Sequence, residues 1–229
     1  MKKEYLDIIY SRKSRPLTNY PEKLVDYIIK KASLIPESNQ TIFEPGVGLG
    51  DHLRIFKDKG YNVRGADISF KTKEFSTDLD IDVMDSDGNS FPYKDETFDV
   101  IYSKSFIEHL DDPEFYLNEA FRILKPGGKI ITLTPDWVAN HKKFYDDYTH
   151  KSPFSKVSLK NIKLACGFND VNSFTFRQIP NTWNNPILDK FCACISPFIP
   201  YNTNIKFLRW SRELMLMSYA TKPITDNEK

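Results

Sequence analysis

Glycine is missing from the first 45 residues and from everything after residue 167; all nine lie between, at 46, 48, 50, 60, 65, 88, 127, 128 and 167. Turns that need a positive φ are therefore confined to the middle of the chain. Cysteine is scarce. Cys166, Cys192 and Cys194 are odd in number and follow no framework spacing. That excludes a disulfide scaffold and suits reduced thiols. Cys192-Ala-Cys194 has no Cys or His near it in sequence to complete a metal knuckle. A charge excess is also absent. Lys plus Arg is 32, Asp plus Glu is 31, and the net charge is +1, so there is no reservoir of positive charge for general nucleic-acid binding. No run approaches the ~18 apolar residues of a membrane span. Met1-Lys2-Lys3-Glu4 leads into mixed charge, not an apolar signal core. These absences predict a cytoplasmic protein with no nucleic-acid partner. The 229 residues predict one domain, long enough to bury a core without staples.

What is present alternates. Residues 4–13 and 21–34 read as helices. In the second, Pro21 suits the first helical position, and Leu24, Ile28, Ile29 and Ala32 share a face. Strands are expected at 41–44, 61–66, 81–84, 98–102, 129–133, 168–176 and 214–220. Between them come helices: one from Asp51 to about Lys59 that Gly60 stops, one capped by Asp112 with Phe121 and Leu124 inward, and one from Ser155 that Gly167 ends. Strand–helix alternation means an α/β fold with a mainly parallel sheet.

The sharpest local signal is Thr41-Ile-Phe-Glu44-Pro-Gly46-Val-Gly48-Leu-Gly50-Asp-His. A strand ends in an acid, three alternating glycines come next, and a helix begins. Such a loop lets backbone approach a ligand closely. Asp67 ends the next strand, 23 residues after Glu44, where an acid can accept from both hydroxyls of a ribose. Asp87-Gly88 stands twenty residues further on, after a third strand, placed to accept from an adenine amino group. Each has a plainer reading, as a helix cap or a turn. Three acids at three successive strand ends, in register with one glycine loop, favour a nucleoside-type site. A dehydrogenase would want the wider G-x-G-x-x-G spacing.

This ordered set resembles the class I S-adenosylmethionine-dependent methyltransferases. Glu44 to Gly50 resembles the family's first motif. Gly65-Ala-Asp67-Ile68-Ser69 resembles its ribose-binding strand end, and Asp87-Gly88-Asn-Ser-Phe-Pro92 its adenine segment. Phe98-Asp99-Val-Ile-Tyr-Ser103 through Ile107-Glu108-His109-Leu110 resembles the family's fourth strand and the helix after it. Leu124-Lys-Pro-Gly127-Gly128-Lys-Ile resembles the turn into the fifth strand. The resemblance covers roughly residues 38–176. It implies a Rossmann-like seven-stranded sheet, mainly parallel with an antiparallel last strand and helices on both faces. The layout expected is an N-terminal helical flank (1–37), a binding core (38–176), a cap or insertion (177–212) and the last strand (213–221). S-adenosyl-L-methionine is the implied cofactor, held by Glu44, Gly46, Gly48, Gly50, Asp67, Ile68, Asp87, Gly88 and Ser103. Asp99 is implied to serve packing and turn geometry. A non-catalytic binding module of the same fold would show a broken donor motif, and none is broken.

The acceptor side of this fold lies after the fourth and fifth strands. Here stand Asp136-Trp137, then Tyr145-Asp146-Asp147-Tyr148-Thr149-His150. The last run resembles methyltransferases of bacterial glycan biosynthesis, implying a sugar hydroxyl or another small molecule as acceptor. Rings cover sugar C–H faces and carboxylates accept from hydroxyls, so Asp136, Trp137, Tyr145, Asp146 and Tyr148 are the candidate substrate residues. A hydroxyl is a poor nucleophile and benefits from proton removal, for which a histidine is suited. His150 is the first candidate base, oriented by Asp147 or Asp146, and His109 the second. His52 and His141 receive no role. No metal is assigned; a hard cation on Asp136, Asp146 and Asp147 is the alternative. In the cap, Asn185-Pro186 can start a helix whose apolar face is Ile187, Leu188, Phe191 and Ile195, stopped by Pro197. That face suits core packing, a homodimer contact, or a landing surface for a lipid-linked acceptor at a membrane.

Overall fold

A computed structural model of the chain describes residues 16–224; the helix expected at 4–13 lies outside them. Seven strands form one sheet: β1 (Thr41–Pro45), β2 (Asn62–Asp67), β3 (Ile81–Val83), β4 (Phe98–Lys104), β5 (Leu124–Pro135), β6 (Asn169–Arg177) and β7 (Leu214–Thr221), in the order β3-β2-β1-β4-β5-β7-β6. β1 to β5 are mutually parallel where they pair, and β7 runs antiparallel to both β5 and β6. The Rossmann-like architecture expected from the sequence is the one observed.

Period-two alternation divides the sheet's side chains between two cores. Phe43, Ile101 and Ile130 point to one face, where Tyr116, Leu117 and Ala120 of α4 (Pro113–Ile123) and Leu159 of α6 (Lys156–Ala165) cover them. Ile42, Val100, Tyr102 and Ile131 point to the other, under Leu24, Val25 and Ile28 of α1 (Tyr20–Ala32). Helices therefore lie on both faces. The inner face of α1 uses Val25 where the sequence suggested Ile29, which is only half-buried. Local signals act as read: the Asp112 carboxylate accepts from the Phe115 amide at 2.9 Å, and Gly60 and Gly167 have φ of +82° and +91°. α2 (Asp51–Asp58) leaves the glycine loop directly, and the short α3 (Lys71–Phe75) follows β2.

Two departures have physical causes. β5 begins at Leu124, not Lys129, because Phe98 pairs with Leu124 and Val100 with Lys129, so Lys125–Gly128 bulge out between two paired stretches. Gly127 takes φ +76° there, and its amide donates to Lys222. Asp99 holds this bulge, accepting from Lys125 Nζ and, at 2.8 Å, from the Thr41 amide. The cap forms α7 (Pro186–Ile195), with Asn185 as its cap residue, and α8 (Lys206–Arg212). Its anchors are aromatic: Trp183 stacks on Tyr27 of α1 with centroids 4.6 Å apart, and Trp210 lies 5.7 Å from Tyr20. The apolar face expected on α7 is mostly open, because the inward position is taken by Cys192. Ile187 is 80% exposed and Phe191 54%. Among the described residues no helix is long and apolar enough to cross a membrane. The three cysteines are unpaired.

One buried cation yields a prediction. Lys163 of α6 is fully buried and donates to the Ser218 carbonyl of β7 at 2.9 Å. Burial holds its ammonium well below the usual lysine range. The unfolded chain therefore binds the extra proton up to about pH 10.4, and its cost to the fold is relieved as pH rises towards that value. Thermal unfolding of wild type and Lys163→Met should show the wild type gaining on the variant between pH 7 and 10. A constant difference across that range would mean the lysine is not desolvated.

Candidate active site

The chemistry-bearing residues gather at the C-terminal ends of the parallel strands, where ligands bind in open α/β sheets. After β1 the chain turns through Gly46, Gly48 and Gly50, all at positive φ (+70°, +58° and +77°). The positions differ in what surrounds them. A Cβ on Gly46 would stand 2.5 Å from the Phe106 ring, whereas nothing lies within 4 Å of one on Gly48. Gly46 is needed for packing; Gly48 faces open space.

Asp67 closes the loop from the end of β2. It is 2% exposed; one carboxylate oxygen accepts from the Gly48 amide at 2.8 Å, the other from the Ser69 amide at 2.9 Å. Ile68 beside it is 58% exposed, an apolar surface at the strand end. Glu44, at the end of β1, is buried with Oε2 lacking a hydrogen-bond partner and Oε1 4.0 Å from His52 Nδ1. Burial raises its pKa well above the carboxylate range, and Lys104 pulls the other way. His52 is lowered to about 3 by burial and by the Lys104 charge.

Two expected donor residues are placed differently. Ser103 is fully buried: β4's alternation turns it inward, where its hydroxyl meets the Tyr116 hydroxyl at 3.4 Å. Asp87 is committed to the chain itself, accepting from the Asp111 amide at 3.0 Å, the Asp112 amide at 3.3 Å and Lys151 Nζ at 3.1 Å. It ties the loop after β3 to the start of α4 and to the segment bearing His150. Neighbouring Gly88 has φ +70° and open space about its Cβ position.

On the acceptor side, a cavity of about 500 Å³ is lined by Asp146, Asp147, Tyr148 and His150, with Gln178 after β6 and Glu213 before β7. Asp136, Trp137 and Tyr145, three expected substrate residues, do not line it. Asp136 is 4% exposed and caps the short helix α5 (Trp137–Asn140), accepting from the Ala139 amide at 3.1 Å; burial raises its pKa. Trp137 packs edge-on to Phe144 at 5.3 Å and Tyr145 at 5.9 Å, holding the segment together.

The two candidate bases meet. The His109 and His150 rings lie 4.8 Å apart. His150 Nδ1 donates to the Phe144 carbonyl at 2.6 Å, and Asp147 Oδ2 lies 3.9 Å from Nε2. His109 Nδ1 faces the Thr149 hydroxyl at 3.0 Å and the Thr149 carbonyl at 3.2 Å; that hydroxyl donates to Asp147 Oδ1 at 2.5 Å. Both rings are thus fixed with Nε2 as the unprotonated nitrogen. Burial, then the neighbouring His150, lowers the His109 pKa. Burial works to raise Asp147, but the bonds from Thr149 and the nearby imidazoles outweigh it and hold the carboxyl low.

Sequence reasoning gave Glu108 no chemical part, yet it completes this cluster. It is fully buried; Oε2 accepts from Thr134 Oγ1 at 3.0 Å, and Oε1 has no partner. Burial pushes its carboxyl up to about 7. Its backbone carbonyl accepts from the amides of Lys151 at 2.8 Å and Ser152 at 3.0 Å, which brings the His150 segment onto the turn after β4. The signal available was the pair Glu108-His109 itself, an acid and a base side by side just past a strand end.

Comparison with known proteins agrees with this frame. Residues 43–132 match the family described as Methyltransferase domain. An uncharacterized protein of Methanocaldococcus jannaschii is 34% identical over 114 residues, 49% of this chain and 53% of that protein. A ubiquinone/menaquinone biosynthesis C-methyltransferase of Roseobacter denitrificans is 33% identical over 133 residues, 51% of each. The structure of a Haemonchus contortus phosphoethanolamine N-methyltransferase, in complex with phosphomonomethylethanolamine and S-adenosylhomocysteine, superposes with a TM-score of 0.61 at 18% identity, over 88% of this chain and 52% of that one. The chain spans about half the length of these relatives. None of the three is named for a glycan. The family match covers residues 43–132, about two fifths of the chain, and over that span the strand order, the glycine loop and the acid at the end of β2 are similar to those of a methyltransferase domain.

Proposed function

We propose that the protein transfers the methyl group of S-adenosylmethionine to a hydroxyl of a small acceptor in the cavity after β5, with a sugar hydroxyl on a glycan or nucleotide sugar as the preferred acceptor. The observation that carries the donor half is the Asp67 carboxylate, clasped to the Gly48 amide beside a glycine that faces open space. A carboxylate at the end of the second strand suits a ribose diol. Ile68 supplies an apolar face for the adenine, with Asp87-Gly88 at its border. The buried, unpartnered Glu44 Oε2 is an acceptor in want of a donor, which the amino end of the cofactor provides.

The acceptor half rests on the cavity lining. Asp146 and Glu213 can accept from hydroxyls, and the exposed Tyr148 ring can cover a C–H face. Bound S-adenosylmethionine supplies a methyl already activated on a sulfonium sulfur, so the protein's work is positioning and proton removal. The acceptor oxygen bonds to the methyl carbon as the carbon–sulfur bond breaks, and its proton passes to His150 Nε2. The Phe144 carbonyl holds the ring by its other nitrogen, and Asp147 stabilises the imidazolium that forms. A nitrogen or carbon acceptor is the second reading, favoured by what two of the relatives are named for.

Calorimetry with S-adenosylhomocysteine tests the donor half. Wild type should bind, and Asp67→Ala should lose bonds worth about 1.5–3 kcal/mol each, roughly tenfold or more in affinity. Equal affinity in both would remove Asp67 from the ribose. For the acceptor half, labelled methyl transfer onto nucleotide sugars, quinols and phosphoethanolamine separates the classes of acceptor. With the responding acceptor, His150→Ala should bind S-adenosylhomocysteine normally and turn over ~10²–10⁴-fold more slowly. A variant keeping more than about a third of the rate lies outside that range and would pass the base role to His109.

A further inference from the structure

We propose that Glu108, His109 and His150 bind a divalent transition-metal cation of the zinc class. Each offers a ligand atom, and these three atoms lie within 4.8 Å of one another. The three aspartates named from the sequence form no such group among the described residues. Asp136 is spent on its helix cap and Asp147 on Thr149.

The donors are prepared as ligation requires. Glu108 is fully buried, is held through Oε2 by Thr134, and keeps Oε1 without a partner. A buried carboxylate oxygen left unpaired is costly, because desolvation is not repaid; a cation removes that cost. Each imidazole spends Nδ1 on an oxygen, His150 on Phe144 and His109 on Thr149. The neutral tautomer with Nε2 available is the ligating form, and an oriented second nitrogen is its usual support. The support of His109 runs on through the Thr149 hydroxyl to the Asp147 carboxylate, which also lies 3.9 Å from His150 Nε2. Glu108 and Asp147 together match the charge of a dication.

The donor set selects the ion. Two nitrogens and one oxygen suit Zn²⁺ and neighbouring transition metals, whereas Mg²⁺ and Ca²⁺ prefer oxygen throughout. Zinc bonds of ~2.0–2.1 Å need the three atoms closer together, so the side chains would have to close on the ion as it binds. Three protein ligands leave a fourth position open, the pattern of catalytic zinc. Resting on the acceptor reading above, that position would take the acceptor oxygen, since His150 also lines the cavity. The ion would then acidify the hydroxyl in place of the bare imidazole, and the proton would pass to solvent.

The test uses the full chain, stripped with chelator and titrated with Co²⁺ and then Zn²⁺. Expected is one Co²⁺ per chain with the visible absorption of a four-coordinate ion, displaced by Zn²⁺, and no comparable binding of Mg²⁺. Glu108→Gln, of nearly equal shape, and His109→Ala should each weaken binding by about tenfold or more, and Thr149→Val by roughly 10–100-fold through the second ring nitrogen. Circular dichroism and thermal unfolding identify any variant that fails to fold. No stoichiometric binding by wild type, equal binding by folded Glu108→Gln, His109→Ala and His150→Ala, or a preference for Mg²⁺ would each overturn the proposal. S-adenosylhomocysteine calorimetry on the same stripped protein keeps the two readings apart. Normal binding there with no cobalt site sinks the metal alone, and no binding sinks the donor reading whatever the metal does.

Discussion

Parallel strands cannot succeed one another without a crossover, and that constraint places every reactive group of this protein along one edge. Each strand from β1 to β5 delivers its last residues to the same end of the sheet. The order β3-β2-β1-β4-β5 reverses direction at β1, so the loops after β1 and β4 leave towards opposite faces and a crevice opens between them. Glu44, Asp67, Lys104 and Glu108 stand along that crevice because they are strand ends or immediate followers of strand ends. The antiparallel β7 brings Glu213 to the same end from the other direction and closes the acceptor side.

The edge is held by bonds that join segments far apart in sequence. Gly48 to Asp67 ties the β1 loop to β2. Asp87 ties the β3 loop to the start of α4 and to Lys151. The Glu108 carbonyl ties the turn after β4 to Lys151 and Ser152. Most of these clasps take a backbone amide as donor, joined at Asp87 by Lys151 Nζ, and they bring the His150 segment onto the turn after β4.

How far this could be read from the sequence depends on the range of each interaction. The glycine loop, the Asp112 cap, the Gly60 and Gly167 stops and all seven strands were legible because local chemistry dictates them: positive φ, a cap bond, a period of two. The inward turn of the Ser103 side chain was not legible from its motif, since the strand's alternation, not its neighbourhood in sequence, decides which way a side chain turns. Asp136 looked like a substrate ligand and is a helix cap, the plainer use of an aspartate before a short helix. The His109–His150 pairing spans 41 positions and depends on the clasp at Glu108, so no spacing rule could reveal it. The α7 face was read correctly as apolar, but its exposure depends on where Trp183 and Trp210 anchor the cap.

Three of the buried polar atoms without a hydrogen-bond partner lie on the same edge. Buried polar groups are nearly always hydrogen-bonded, and an unpaired one costs about 1–3 kcal/mol. Glu44 Oε2, His52 Nε2 and Glu108 Oε1 are all buried without partners, and all three belong to residues at or just beyond the ends of β1 and β4. The two glutamates are both desolvated, and the same Lys104 charge pulls both carboxyls back towards ionisation. A cation or a donor group arriving at either one would reinforce that pull and satisfy the open oxygen in the same event. Binding there would supply stabilisation that the free chain lacks.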